Sequence, residues 1–238
     1  MCKSMLRRVP LEGAFNFRDL GGYPVAGGLS TRYGVFYRSG CINDLTTSDK
    51  EKIKKLGVKT VIDLRGEHEL QSRPGAFTGD ADVRVINIDL LSKLDPNSVY
   101  KHTTDDPNFI PDLYITMIDS CGEKIGQFIK AAAENAQRGA VLYHCSAGKD
   151  RTGMISMFLL GLAGVERMDI VADYQVSETY IEHAFPGAKH ALTSSPLHIQ
   201  RALKYLEDEY GGIERYARTH GIVSSDINAL RAIFLGNE

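Results

Sequence analysis

Between positions 144 and 153 the chain reads His144-Cys145-Ser146-Ala147-Gly148-Lys149-Asp150-Arg151-Thr152-Gly153. A cysteine and an arginine separated by five residues bracket a short polar loop that contains one glycine. Before it, Ala140 to Tyr143 is an apolar, strand-forming run; after it, Met154 to Leu162 is apolar, too long for a strand and rich in helix formers. A strand, loop and helix in that order converge loop N–H groups and the unpaired N–H groups of the helix start on one point, where an anion is stabilised. Ser146, Ala147, Gly148, Lys149, Asp150 and Arg151 would line that point, with Arg151 as a two-pronged anion clamp. The same donors, with Lys149 and Arg151, stabilise a thiolate at Cys145, so the sulfur can act as a nucleophile without a dedicated base.

The pattern His-Cys, five residues, Arg-Thr resembles the signature of the cysteine-dependent protein tyrosine phosphatases. Gly148-Lys149-Asp150-Arg151 narrows the likeness to the bacterial tyrosine, dual-specificity and phosphoinositide phosphatases whose loop reads HCxxGKDR, and the Asp before the Arg is similar to the myotubularin lipid phosphatases. Phe15 to Tyr23, containing NFRDLGG, and Tyr37-Arg38-Ser39-Gly40 resemble two further blocks of that bacterial family. The resemblance implies a protein tyrosine phosphatase-like fold and hydrolysis of phosphomonoesters through a cysteinyl-phosphate intermediate, without metal or cofactor. It implies a phosphotyrosine protein or a phosphoinositide as substrate, with dual specificity open. It assigns His144 to orienting the loop and Thr152 to a hydrogen bond with the sulfur or the helix start.

The acid that protonates the leaving oxygen is less sharply marked. Asp150 leads by resemblance, followed by Asp63; Asp89 is the topological alternative, because it ends the strand before a long polar segment. No WPD-like tripeptide is present. Two other classes compete with the phosphatase reading. One is a pseudophosphatase that binds phosphorylated partners without turnover, against which the intact Cys145, Arg151 and candidate acids argue. The other is a rhodanese or arsenate-reductase-like cysteine enzyme, for which the Lys149-Asp150-Arg151 run is out of pattern.

The elements that must position these residues follow from the chain in order. Residues 15–40 predict a small N-terminal hairpin, in which Arg18 and Asp19 read as a paired turn and Arg38 as a salt-bridge partner or site residue. Thr46 to Asp49 can cap a helix over 50–56 that Gly57 stops. Val58 to Arg65 predicts a central strand with Asp63 and Arg65 on one face of its carboxyl end, the edge where open α/β sheets bind ligands. Val83 to Leu90 predicts another strand, and 91–111 a polar lid or specificity segment. One helix is expected over 112–135, with Gly122 as its weak point. Helices at 166–180, 197–210, 213–219 and 225–235 make a helical carboxyl-terminal third. The alternation predicts an α/β fold, a mostly parallel central sheet flanked by helices, in one domain spanning 1–238.

Composition sets the outer bounds. With 43% hydrophobic and 24% charged residues the chain is an ordinary globular protein, and a net charge of −2 over 238 residues speaks against nucleic-acid binding. Its four cysteines show no metal-ligand or disulfide spacing, so no metal site is expected. The start has no apolar signal core and no run is long enough to span a membrane, which predicts cytoplasmic residence and no integral membrane association.

Overall fold

The computed structural model describes residues 6–95, 106, 108–182 and 193–235. These residues form a five-stranded sheet: β1 (Arg18–Asp19), β2 (Phe36–Ser39), β3 (Val58–Asp63), β4 (Arg84–Asn87) and β5 (Ala140–His144), in the order β1-β2-β5-β3-β4. β2, β5, β3 and β4 run parallel, and only β1 is antiparallel, pairing Arg18 with Arg38 and Asp19 with Tyr37. The strand that feeds the cradle is therefore central. In register, β5 sets His144 beside Ser39 on one side and Asp63 on the other, which brings three carboxyl strand ends to one edge.

Alternation along the strands divides the core into two layers. Ala140 and Leu142 of β5, with Val61 and Tyr37, face a smaller layer that contains Phe17, Ile53 and Phe77. Val141 and Tyr143, with Ile62 and Phe36, face the larger layer, where most of the helices pack. Helix α1 (Thr47–Lys55) covers the smaller layer. It begins in a reciprocal cap: Thr46 Oγ1 accepts from Asp49 N, and Asp49 Oδ2 accepts from Thr46 N. Helix α2 (Glu67–Ser72) follows β3 directly; its sequence is too polar and too short to show a periodic apolar face, and the sequence pattern does not predict it.

Where one helix was expected over 112–135 there are two, α3 (Phe109–Ser120) and α4 (Gly122–Ala136), broken at buried Cys121. The weak point is a contact site. A Cβ on Gly122 would come within 2.1 Å of the His220 ring, so only glycine admits the carboxyl-terminal layer at that place. The strand expected over 83–90 is regular only from Arg84 to Asn87, at the sheet edge. Helix α5 (Asp150–Ala163) follows the cradle and is buried nearly all round. Then come α6 (Arg167–Glu182), α7 (Pro196–Tyr210), α8 (Ile213–Thr219) and α9 (Ser224–Leu235), the helical last third. Of the stretch 15–40, the described residues place β1 and β2 in the main sheet and fold Pro24 back on Ser30 across a short 3-10 turn at Ala26–Gly28. Most of 91–111 lies outside the described residues. Among those described, no helix is long and apolar enough to cross a membrane.

Candidate active site

Cys145 is the first residue after β5 and is 2% exposed. Its Sγ accepts the Gly148 N–H at 3.2 Å, and the chain enters α5 two residues later, so the sulfur lies where the loop N–H groups and the helix start converge. The turn needs its glycine. Gly148 has φ +67°, and a Cβ there would meet Gly40 N and Ser39 O at 2.5 Å.

The loop is pinned from behind by its carbonyls. Asn16 Nδ2 donates to Gly148 O at 2.8 Å and to Ala147 O at 3.3 Å, and Arg38 Nη2 donates to Gly148 O at 2.7 Å. A trans peptide points its N–H opposite its C=O, so carbonyls drawn inward turn the N–H groups of Gly148 and Lys149 outward. Arg38 is in turn held by Asp173 of α6, with Nη1 2.5 Å from Oδ2, and Arg18 Nε reaches Asp173 Oδ1 at 2.9 Å. Tyr23 Oη donates to Asp173 Oδ1 at 3.1 Å. All of these side chains are buried. Burial opposes the Asp173 charge, but Arg18 and Arg38 outweigh it and hold the carboxyl well below the usual carboxylate range. Arg18 is therefore paired with Asp173, not with Asp19, whose oxygens accept from Gly21 N and Gly34 N at 2.7 and 2.8 Å.

Arg151, in the first turn of α5, makes a bidentate pair with Glu69 of α2: Nη1 to Oε2 at 2.5 Å and Nη2 to Oε1 at 2.9 Å. Glu69 also accepts from the Ser146 hydroxyl and, at 3.1 Å, from Gly66 N. Burial works against the Glu69 charge; the hydrogen bond and charge of Arg151 overcome it, with Ser146 and Gly66 adding, and bring its pKa from 4.5 down to about 2. Glu69 is the functional-site neighbour that the sequence reading missed. Its only signal was an acidic residue following a strand that ends at the ligand edge.

Asp150 lies beside the clamp with its carboxyl 31% exposed. Its Oδ1 accepts from Tyr114 Oη at 2.7 Å and lies 3.4 Å from Lys149 Nζ. Lys149 is 1% exposed and its Nζ also donates to Thr193 O at 3.2 Å. His144 is fully buried; its Nε2 is 3.3 Å from Asp63 Oδ2, though without a well-aligned hydrogen bond. Asp63 receives Arg65 through Nε at 2.9 Å and Nη2 at 2.7 Å. Burial resists ionisation of Asp63, but His144 and Arg65 more than compensate and keep it a carboxylate. The Thr152 hydroxyl is buried with no hydrogen-bond partner among the described residues. Asp89 stands two residues past β4, where Oδ1 accepts from Leu91 N at 3.1 Å. No hydrogen bond or ion pair among the described residues joins it to Cys145, Asp150 or Arg151. Cys145, Asp150 and Arg151 are thus gathered around one loop, with His144 and Asp63 layered behind the strand end.

A cavity of about 690 Å³ opens beside Ser146 and Glu69, lined also by Arg8, Phe15, Cys41, Arg65 and Tyr180. Among the described residues no cluster of three or more His, Cys, Asp or Glu side chains could hold a metal ion.

Known proteins share this arrangement of sequence. The chain is 31% identical over 219 residues to a tyrosine-protein phosphatase of Nostoc commune, covering 83% of this chain and 73% of that one. It is 27% identical over 281 aligned positions to the triple specificity protein phosphatase PtpB of Mycobacterium tuberculosis, covering 95% of this chain and 98% of that one. The sequence profile described as the tyrosine phosphatase family matches residues 9–236, nearly the whole chain, and with the nucleophile loop intact the protein belongs to that family and is a cysteine-dependent phosphatase.

Proposed function

We propose that the protein hydrolyses phosphotyrosine in proteins, with Cys145 as nucleophile, Arg151 as anion clamp and Asp150 as the acid. The observation that carries this reading is the convergence of Cys145 Sγ, the Gly148 N–H, the α5 start and Arg151 on one loop. Sγ attacks phosphorus, and the loop N–H groups with Arg151 take up the charge spread over the transferring oxygens. Asp150 gives its proton to the leaving tyrosine oxygen. It then takes a proton from the water that hydrolyses the cysteinyl phosphate, so one carboxyl serves both half-reactions. Asp63 suits a different part: held ionised between Arg65 and His144, it orients the imidazole next to the nucleophile. His144 supports the strand end, and Ser146, Ala147, Gly148 and Lys149 supply the cradle.

Phosphoinositide hydrolysis is a second reading, favoured by Arg8, Arg65 and Arg73 around the cavity beside Ser146. Arg65 and Arg73 are already paired with Asp63 and Asp44, which leaves less charge for a second phosphate. One experiment tests both. With chelator present, the wild type turns over p-nitrophenyl phosphate in a vanadate-sensitive way and Cys145→Ser does not; phosphotyrosyl peptides then outrank phosphoseryl peptides and phosphoinositide vesicles in kcat/KM. Turnover that survives in Cys145→Ser rejects the mechanism, and a preference for the vesicles rejects the substrate class.

A further inference from the structure

Behind Asp150 runs a chain of hydrogen bonds that the reaction as described does not use. Tyr114 of α3 donates from Oη to Asp150 Oδ1 at 2.7 Å. Tyr114 Oη is 2.7 Å from Tyr174 Oη of α6, and Tyr174 Oη is 3.3 Å from His198 Nδ1 of α7. The rings are stacked edge to face, Tyr114 on Tyr174 at 6.0 Å and Tyr174 on His198 at 6.3 Å between centroids. Tyr114 and Tyr174 are 0% and 1% exposed and His198 is 9% exposed. Three separate helices thus contribute one side chain each to a line that ends on one oxygen of the candidate acid.

The direction of the line follows from its end. With Tyr114 donating to Asp150, Tyr174 must donate to Tyr114, and His198 must donate from Nδ1–H to Tyr174. Burial pushes both tyrosine hydroxyls well above their usual range, so each keeps a proton to donate. Oδ1 of Asp150 is engaged by Tyr114 and Lys149, while Oδ2 takes no hydrogen bond among the described residues. The groups around this line are Lys149 beside Asp150; Asp150, Arg38 of β2 and Glu178 of α6 near Tyr174; and Lys149, Asp150 and Glu178 near His198. A buried tyrosine can bond to any nearby carbonyl merely to satisfy its hydroxyl. Two in series with an imidazole, all terminating on a partly exposed carboxylate at the start of α5, do more than that.

We propose that Tyr114, backed by Tyr174 and His198, is the positioning residue for the acid: it holds Oδ1 so that Oδ2 meets the leaving oxygen, and it stabilises the carboxylate formed when the proton departs. The inference rests on the reading of Asp150 as the acid. No atom of Tyr114, Tyr174 or His198 touches the reacting phosphate in this scheme.

The test compares Asp150→Asn, Tyr114→Phe, Tyr174→Phe and His198→Asn on phenyl phosphate, a poor leaving group, and p-nitrophenyl phosphate, an activated one. Vanadate affinity and near-ultraviolet circular dichroism report whether the cradle and fold survive. Tyr114→Phe is expected to lower kcat on phenyl phosphate about tenfold with little change in KM or in p-nitrophenyl phosphate turnover. Loss of the Tyr114 hydrogen bond also moves the basic limb of the pH profile, a readout that a purely structural role would leave in place. Tyr174→Phe and His198→Asn leave Tyr114 in place and shift both quantities in the same direction, by about two- to threefold in rate. Equal losses on both substrates with an unmoved basic limb overturn the proposal and leave these residues a structural role. If Asp150→Asn shows the leaving-group dependence and the tyrosine variants do not, the acid assignment stands and this inference fails. If Asp150→Asn shows none, the acid assignment itself fails and takes the inference with it.

Discussion

On the outward side of loop 145–151, Cys145, Asp150 and Arg151 follow one another within seven residues of chain. On its inward side, the carbonyls of Ala147 and Gly148 are held by Asn16 and Arg38, and Arg38 by Asp173, residues scattered over most of the sequence. Of the outward residues, Asp150 and Arg151 keep some exposure, 31% for the Asp150 carboxyl and 12% for the Arg151 side chain, while Cys145 is 2% exposed. The inward residues are sealed from water, with the Asp173 carboxylate between two arginines. The proposed reactive groups therefore share one short loop, while the network that holds it is desolvated and drawn from distant parts of the chain. Breaking the inner network should cost fold stability, while breaking the outer set should cost rate.

The largest effect belongs to the inner side. Asp173→Asn keeps the shape of the side chain but leaves Arg18 and Arg38 as buried charges without a counterion, which costs about 3–5 kcal/mol. The expected outcome is a drop of that size in unfolding free energy by urea titration, with activity lost in proportion to unfolded protein. A variant of unchanged stability and low activity would transfer Asp173 from scaffold to chemistry.

Next is the outer clamp. Arg151→Lys keeps the charge but loses the planar fork, and removal of one such stabilising donor typically costs about 10²–10³ in kcat. Stability should change by less than about 1 kcal/mol, since a partly exposed ion pair contributes little. Urea titration beside kcat separates it from Asp173→Asn: one lowers the midpoint, the other the rate.

This division also explains what could be read from sequence. The outer set was legible because strand, loop and helix are contiguous there, so residue type and spacing alone define the cradle. The α1 cap was legible for the same reason: Thr46 and Asp49 satisfy each other within one turn. The inner set was not. Asp173 is a polar residue in a helix of mixed pattern and reads as a solvated face, until the fold brings it to Arg18 of β1 and Arg38 of β2. Glu69 lies in α2, six residues without an apolar stripe, and its role depends on a bond to a side chain 82 positions away. The break between α3 and α4 was only half legible: Gly122 marked a weak point, but a lone glycine in a periodic apolar run does not fix a break, and the His220 ring packed against it comes from far along the chain. Arg38 was visible as either a salt-bridge partner or a site residue, and the structure joins both descriptions: it pairs with Asp173 and bonds the loop carbonyl.

Glu69 sits on the boundary between the two sides, and the smallest predicted effect tests which side it serves. It grips the outer end of the Arg151 guanidinium while being anchored to Gly66 N at the start of α2, so it behaves as a fixed rest against which the clamp is oriented. Glu69→Gln should lower kcat/KM by about tenfold, equivalent to about 1.4 kcal/mol, through a less ordered Arg151. Its stability effect has a definite pH window. Folding lowers the Glu69 pKa from 4.5 to about 2, so the pair stabilises the fold fully above pH 4.5 and that contribution is lost as the pH falls toward 2. Asp63 and Asp173, also held ionised by cations, destabilise wild type and variant alike on acidification and cancel in the comparison. The difference in unfolding free energy between wild type and Glu69→Gln should therefore be constant near neutrality, on the order of 1 kcal/mol after solvent screening, and shrink across the interval from 4.5 to 2. A difference independent of pH would mean that Glu69 stabilises by packing and hydrogen bonding rather than by charge, and would place it with the scaffold instead of the clamp.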